Sequence, residues 1–150
     1  MRSVAQQIGD CLHYLHRRGL AHRDIKLDNI LYNPDSQCLK VIDYELFKRF
    51  RKQGVTTEML TITGTPNYRA PEIISGGGYT EKVDVWALGI TIYALVAHTT
   101  PFESEYRKDT ILNILEAPVQ FTGTFKAYSV EMKLLIAHLL AKNPHDRPSM

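Results

Sequence analysis

The chain has only two cysteines, Cys11 and Cys38, and no CxxC pair. This argues against a disulfide scaffold and fits a reducing intracellular compartment, cytoplasmic or nuclear. Residues 1–10 lack the apolar core of a signal peptide. The longest mostly apolar run, Val85 to Ala97, is too short to span a membrane and holds Trp86 and Gly89. Charge of one sign is scarce as well: Lys+Arg 18 against Asp+Glu 16 leaves +2, too little to argue for nucleic acid. No internal repeat and no low-complexity tract is present. The cluster Gly76-Gly77-Gly78 reads as a turn. It is not a phosphate loop, because Glu81 stands where a third glycine is needed and no strand leads in.

What is there is ordinary in bulk and specific in detail. At 150 residues, 44% apolar and 23% charged, the chain fits one globular domain or part of a larger one. Val4, Ile8, Cys11, Leu12 and Leu15 recur at helical spacing with Gly19 as a stop, which gives a helix over 3–18. Ile30-Leu31-Tyr32 and Leu39-Lys40-Val41-Ile42 flank a turn at Asn33-Pro34-Asp35-Ser36 and read as a hairpin. Residues 43–72 show little periodicity, and a loop of that length is usually functional. The stretch from Val83 to Val96 is apolar nearly all round, the mark of a buried helix. Ile111–Leu115 and Val130–Leu140 read as two amphipathic helices. The expected fold class is mainly α, with one small β-hairpin.

Chemistry concentrates in "HRDIKLDN", His22 to Asn29. Asp24 is a carboxylate able to accept a hydroxyl proton. Lys26, two residues on, can neutralise a phosphoryl group in transfer. Asn29 offers an amide oxygen to a hard cation such as magnesium. Asp43, at the end of the second strand, would be brought alongside by the hairpin as a second oxygen ligand. Phosphoryl transfer asks for little more than a positioned nucleophile, held metal and offset charge.

These residues make the chain resemble the eukaryotic protein kinases. "HRDIKLDN" matches the catalytic loop H-R-D-x-K-x-x-N, and "IDYE" sits where the family carries D-F-G. "GTPNYRAPE" (Gly64–Glu72) matches the end of the activation segment, "DVWALG" (Asp84–Gly89) the start of the long buried helix, and "HDRPS" (His145–Ser149) the late arginine motif. The five occur in family order and span 22–149. Lys26 and Gly64-Thr65-Pro66 resemble serine/threonine rather than tyrosine kinases. The fold implied is the helical large lobe of the α+β kinase fold. The glycine loop, the V-A-I-K lysine and the adenine hinge have no counterpart in this sequence, so the small lobe is expected to be absent. A lobe alone is expected to show little activity.

The resemblance also implies roles. Asp24 would be the catalytic base, Lys26 would contact the transferred phosphate of ATP, and Asn29 and Asp43 would hold Mg2+. Thr65 would buttress Asp24 and Lys26, while Pro66–Arg69 would receive the substrate residue just past the phosphoacceptor. Glu72 would pair with Arg147, and Asp84 would hold the catalytic-loop backbone. Arg23 and Lys48 would clamp a phosphate on Thr61, placed there by an upstream activating kinase. The partners implied are protein substrates bearing Ser or Thr, with no nucleic acid and no membrane. A pseudokinase or interaction module is the alternative, against which the retained Asp24, Lys26, Asn29 and Asp43 argue. His13 and His16 read as ordinary surface or core histidines, His22 as packing for the loop, and Trp86 as core. Asp28, just before Asn29, could attract basic substrate residues, but Ala94 stands where relatives selecting basic substrates often carry glutamate, which leaves substrate preference open. Glu45 departs from the family glycine: it gives up backbone freedom and adds a carboxylate near the phosphates. Three readings of it stay open: harmless, tuning metal affinity, or weakening catalysis.

Overall fold

A computed structural model describes residues 2–150. Helix α1 (Arg2–Arg17) buries Ile8, Leu12 and Leu15 on one stripe. Gly19, at φ 72, stops it by turning the chain into the left-handed region. Five further short strands and four further helices follow the first strand, β1 (Leu20–Ala21). At the centre lies α3 (Lys82–Ala97), in which thirteen of sixteen residues are buried. Such a helix has no solvent face to keep polar, which is why its sequence is apolar all round. It packs against α1 on one side and α5 (Val130–Leu139) on another.

The approach of α5 explains Gly89. A Cβ there would meet Leu139 Cβ at 2.9 Å and Leu140 Cδ2 at 2.8 Å, so any larger residue would push the two helices apart. Helix α5 starts at Ser129, whose side chain accepts the Met132 N–H as an N-cap. Trp86 is fully buried and stacks on Phe102 with ring centroids 5.5 Å apart. The remaining helices are the short α2 (Pro71–Ile74) and α4 (Arg107–Glu116), which pack together.

The strands number more than the sequence reading gives. The expected hairpin is present as β2 (Ile30–Asn33) paired antiparallel with β3 (Cys38–Val41), Ile30 opposite Val41 and Asn33 opposite Cys38. Asn33 Oδ1 closes its turn by accepting the N–H groups of Asp35 and Ser36. Two more antiparallel pairs draw on the stretch read as loop. Strand β4 (Lys48–Arg49) pairs with β1, and β5 (Arg51–Lys52) pairs with β6 (Val55–Thr56). Each strand is two residues long, too short to carry a period-2 pattern. The β5–β6 connection does carry a local signal: Gln53 and Gly54 both have positive φ, 50° and 81°, the geometry of a tight hairpin turn.

Candidate active site

The loop His22–Asn29 leaves β1 and ends in the 3-10 turn Leu27–Asn29, directly before β2. Its first half is held from below by α3. Asp84, in the first turn of that helix and fully buried, accepts the N–H groups of His22 and Arg23, each at 2.8 Å. His16 Nε2, from the last turn of α1, meets the same carboxylate at 2.8 Å. Arg23 needs this grip. Its φ of 70° is left-handed, a conformation that costs a non-glycine residue about 1–2 kcal/mol.

With Arg23 so turned, Asp24 lies in a closed polar cluster and is 7% exposed. One carboxylate oxygen accepts the Thr65 N–H at 3.0 Å and the Thr65 hydroxyl at 2.9 Å. The other accepts Asn29 Nδ2 at 3.0 Å and pairs with Lys26 Nζ at 2.9 Å. Lys26 Nζ also donates to Thr65 Oγ1 at 2.8 Å. The hydroxyl therefore accepts a hydrogen bond from Lys26 and donates its own to Asp24. Burial pushes the Asp24 carboxyl up, but the hydrogen bonds from Lys26 and Thr65 together outweigh it and hold the group below the usual carboxylate range. Asp24 is thus ionised at neutral pH.

Thr65 reaches Asp24 because of Gly64. Its φ is 82°, and a Cβ would meet the Arg23 carbonyl oxygen at 2.7 Å. Any other residue would push the segment off the His22–Asn29 loop. His22 lies under the same loop. Its Nδ1 faces the Asp24 N–H at 3.3 Å, and its ring stands edge-on to Phe47. Burial lowers its pKa, which keeps Nδ1 free to accept.

Asp43 sits beside this cluster through backbone pairing: the Ile42 N–H donates to the Asn29 carbonyl at 2.9 Å. Asp43 is exposed and left-handed at φ 68°, a region aspartate tolerates better than most. The donor set suits magnesium. The Asn29 amide nitrogen is committed to the Asp24 carbonyl and carboxylate, which leaves its amide oxygen for a cation. Among the described residues, no group of three or more His, Cys, Asp or Glu could hold a metal. Asn29 and Asp43 would supply two hard oxygens, with the rest of a magnesium shell filled by water and phosphate.

The two departures behind Asp43 behave differently. Tyr44 donates its hydroxyl to the Val41 carbonyl at 2.8 Å and stands edge-on to Phe47, so the added oxygen is satisfied. Glu45 is exposed and donates its N–H to Asp43 Oδ1 at 3.3 Å. It is not among the residues with positive φ. The backbone here makes no demand for glycine.

Arg23 donates through Nε to the Leu46 carbonyl at 2.6 Å and through one terminal nitrogen to the Tyr79 hydroxyl at 3.1 Å. Tyr79 in turn donates to the Thr61 carbonyl at 2.6 Å. Arg23 and Thr61 are therefore one tyrosine apart, and Thr61 is exposed. Lys48 lies in β4 opposite Ala21 and is exposed. Among the described residues, no hydrogen bond or ion pair joins it to Arg23 or Thr61. Further off, Arg147 makes a bidentate pair with Glu72 at 2.7 and 2.8 Å. It also donates to the carbonyls of Ala141, Lys82 and Lys142, and is 2% exposed.

Two residues of this network escape the sequence reading. His16 is grouped there with His13 as ordinary, yet His13 is exposed whereas His16 is buried on Asp84. Tyr79 gives no signal at all. The partner of His16 lies 68 positions along the chain, and Tyr79 bonds to Arg23 across 56. No local spacing reports such pairs.

Comparison with known proteins agrees with the geometry. The family model described as Protein kinase domain matches residues 1–150. The chain is 39% identical over 150 residues to the "Ovarian-specific serine/threonine-protein kinase Lok" of Drosophila melanogaster, covering 96% of this chain and 31% of that protein. It is 38% identical to the mouse (Mus musculus) "Serine/threonine-protein kinase PLK2" over 150 residues, covering 100% of this chain and 21% of that protein. It is 36% identical over 146 residues to "Protein kinase C epsilon type" of Oryctolagus cuniculus, covering 97% of this chain and 19% of that protein. The chain thus spans less than a third of the length of these relatives. With the family model matched from end to end, the chain belongs to the protein kinase domain family.

Proposed function

We propose that the protein carrying this chain transfers the γ-phosphate of ATP to serine or threonine hydroxyls of protein substrates. The observation that carries the reading is the Asp24 carboxyl locked to Lys26 and Thr65. A carboxylate has about four lone-pair positions, and here Thr65 takes two, Asn29 one and Lys26 one. An incoming hydroxyl therefore needs one of them released. Lys26 is the one to move, because an arriving phosphoryl oxygen competes for its ammonium. Asp24 then accepts the hydroxyl proton as the substrate oxygen bonds to the γ-phosphorus and the bond to the ADP oxygen breaks. Magnesium, held by Asn29 and Asp43, would neutralise phosphate charge.

The same reading extends to control. A phosphate on exposed Thr61 would lie one tyrosine from Arg23, which already shares Tyr79 with it. Phosphorylation by an upstream kinase would order the segment through Arg23, with Lys48 as a second cation if β4 shifts. Among the described residues, no helix is long and apolar enough to cross a membrane. Glu45 in place of glycine is the observation that favours a second reading, a non-catalytic interaction module. The test is incubation of the full-length protein with labelled ATP and mixed Ser, Thr and Tyr peptides. Label on phosphoserine or phosphothreonine is expected; a folded, ATP-binding protein that labels nothing overturns the enzyme reading in favour of the module.

A further inference from the structure

Beside Thr65 the chain forms a groove of about 190 Å3 between the activation-segment end, α2 and α4. Its lining is of two kinds. Ile62, Ile73, Ile111 and Ile114 make an aliphatic bed, with Ile73 and Ile114 buried beneath and Ile62 exposed at the edge. Arg69 and Arg107 stand on it as well, and no carboxylate does. Among the described residues, neither arginine forms an ion pair. The only ion pairs among the described residues are His16–Asp84, Lys26–Asp24 and Arg147–Glu72.

Arg69 is fixed in place. Its Nε donates to the carbonyls of Thr63 at 3.2 Å and Gly64 at 3.0 Å. Its two terminal nitrogens donate to no acceptor among the described residues. A guanidinium anchored by its inner nitrogen and free at its fork presents the geometry that takes a carboxylate bidentately. Arg107 opens α4 and is exposed, and nothing in the first turn of that helix neutralises it through an ion pair.

We infer that this groove selects the substrate: it takes a peptide carrying an aliphatic side chain and an adjacent carboxylate just after the phosphoacceptor. The aliphatic group enters the isoleucine bed and the carboxylate meets Arg69 and Arg107. Charge decides the occupant. A basic peptide would face two unpaired arginines, whereas an acidic one supplies their missing partners. The inference rests on the kinase reading above, which puts the phosphoacceptor at Asp24 and the next residue against Pro66–Arg69.

The test uses full-length protein and four serine peptides whose two residues after serine are Leu-Glu, Leu-Lys, Ala-Glu or Ala-Lys. Leu-Glu is expected to give the highest kcat/KM, with Leu-Lys lower by roughly two- to fivefold, the worth of one exposed ion pair. Arg107→Glu, at an exposed position, is expected to invert the Glu-over-Lys order while Leu stays ahead of Ala. Equal rates for all four peptides, or an order unmoved by Arg107→Glu, would overturn the groove assignment and leave the kinase reading standing. Peptide binding without ATP, read by fluorescence anisotropy, separates the opposite case. Leu-Glu preference in binding with no phosphorylation keeps the groove and sinks the kinase reading; no preference in either assay sinks the groove.

Discussion

Replacing Asp84 by asparagine changes one heavy atom and tests how the His22–Asn29 loop is held. Three donors converge on the carboxylate: the N–H groups of His22 and Arg23, and His16 Nε2. An asparagine keeps one acceptor oxygen and turns an NH2 toward donors. If the oxygen stays on Arg23, the buried His22 N–H loses its acceptor, a cost of about 1–3 kcal/mol. The charge assistance in the remaining bond is lost too, and Arg23 is held less firmly in its left-handed turn. Together these predict a destabilisation of about 3–5 kcal/mol, the usual scale for breaking a buried charged network. That is a large share of a stability of about 5–15 kcal/mol. The assay is urea unfolding of wild type and Asp84→Asn, with kcat measured on the folded variant at low temperature. A loss below about 1 kcal/mol with unchanged kcat would refute the idea that Asp84 organises the loop.

Other consequences follow from the same geometry. Arg147→Met strands Glu72 and three carbonyls and is expected to cost about 3–5 kcal/mol, with part recovered in Glu72→Gln/Arg147→Met; a double-mutant cycle in urea reads this, and additivity would contradict the pairing. Because the Asp24 carboxyl is held below its usual range, its contribution is present above the ordinary carboxylate pKa and disappears as pH falls through the lowered folded value. The acid limb of stability against pH should therefore flatten in Asp24→Asn, and an identical limb would count against the cluster. Glu45→Gly should change stability by no more than about 0.5 kcal/mol, since Glu45 is exposed and free of left-handed strain; a marked gain in urea resistance would show hidden strain.

The sequence carries the helices well and the small strands poorly. The run Val83 to Val96 announces a buried helix because burial on every side leaves no polar stripe, and α3 lies there within a residue at each end. The β2–β3 hairpin is legible from its turn residues. Strands β1 and β4 are not, since their pairing joins Leu20 to Arg49 across a stretch with no period to read. The Gln53-Gly54 turn was available as a signal but is masked by the charged residues around it. The same division runs through the site. Asp24, Lys26 and Asn29 fall within six residues and are visible as one motif, and Thr65 comes with Gly64 in another. The support beneath them is scattered: His16, Tyr79 and Asp84 come from three elements, and only folding brings them to the loop. Lys48 shows the reverse. The resemblance implies a clamp on a phosphate at Thr61, yet pairing with Ala21 places its backbone in β4, and among the described residues it has no bond to Thr61.

Everything functional in this account depends on Asp24 as the proton acceptor. The most direct measurement is transfer of labelled phosphate to a serine peptide by full-length protein, comparing wild type with Asp24→Asn at saturating ATP. Asparagine preserves the size of the side chain but removes the negative charge and one acceptor oxygen. The account predicts a fall in kcat of roughly 10²–10⁴ with KM for ATP little changed. A variant that keeps wild-type kcat while its ATP affinity is intact would contradict it.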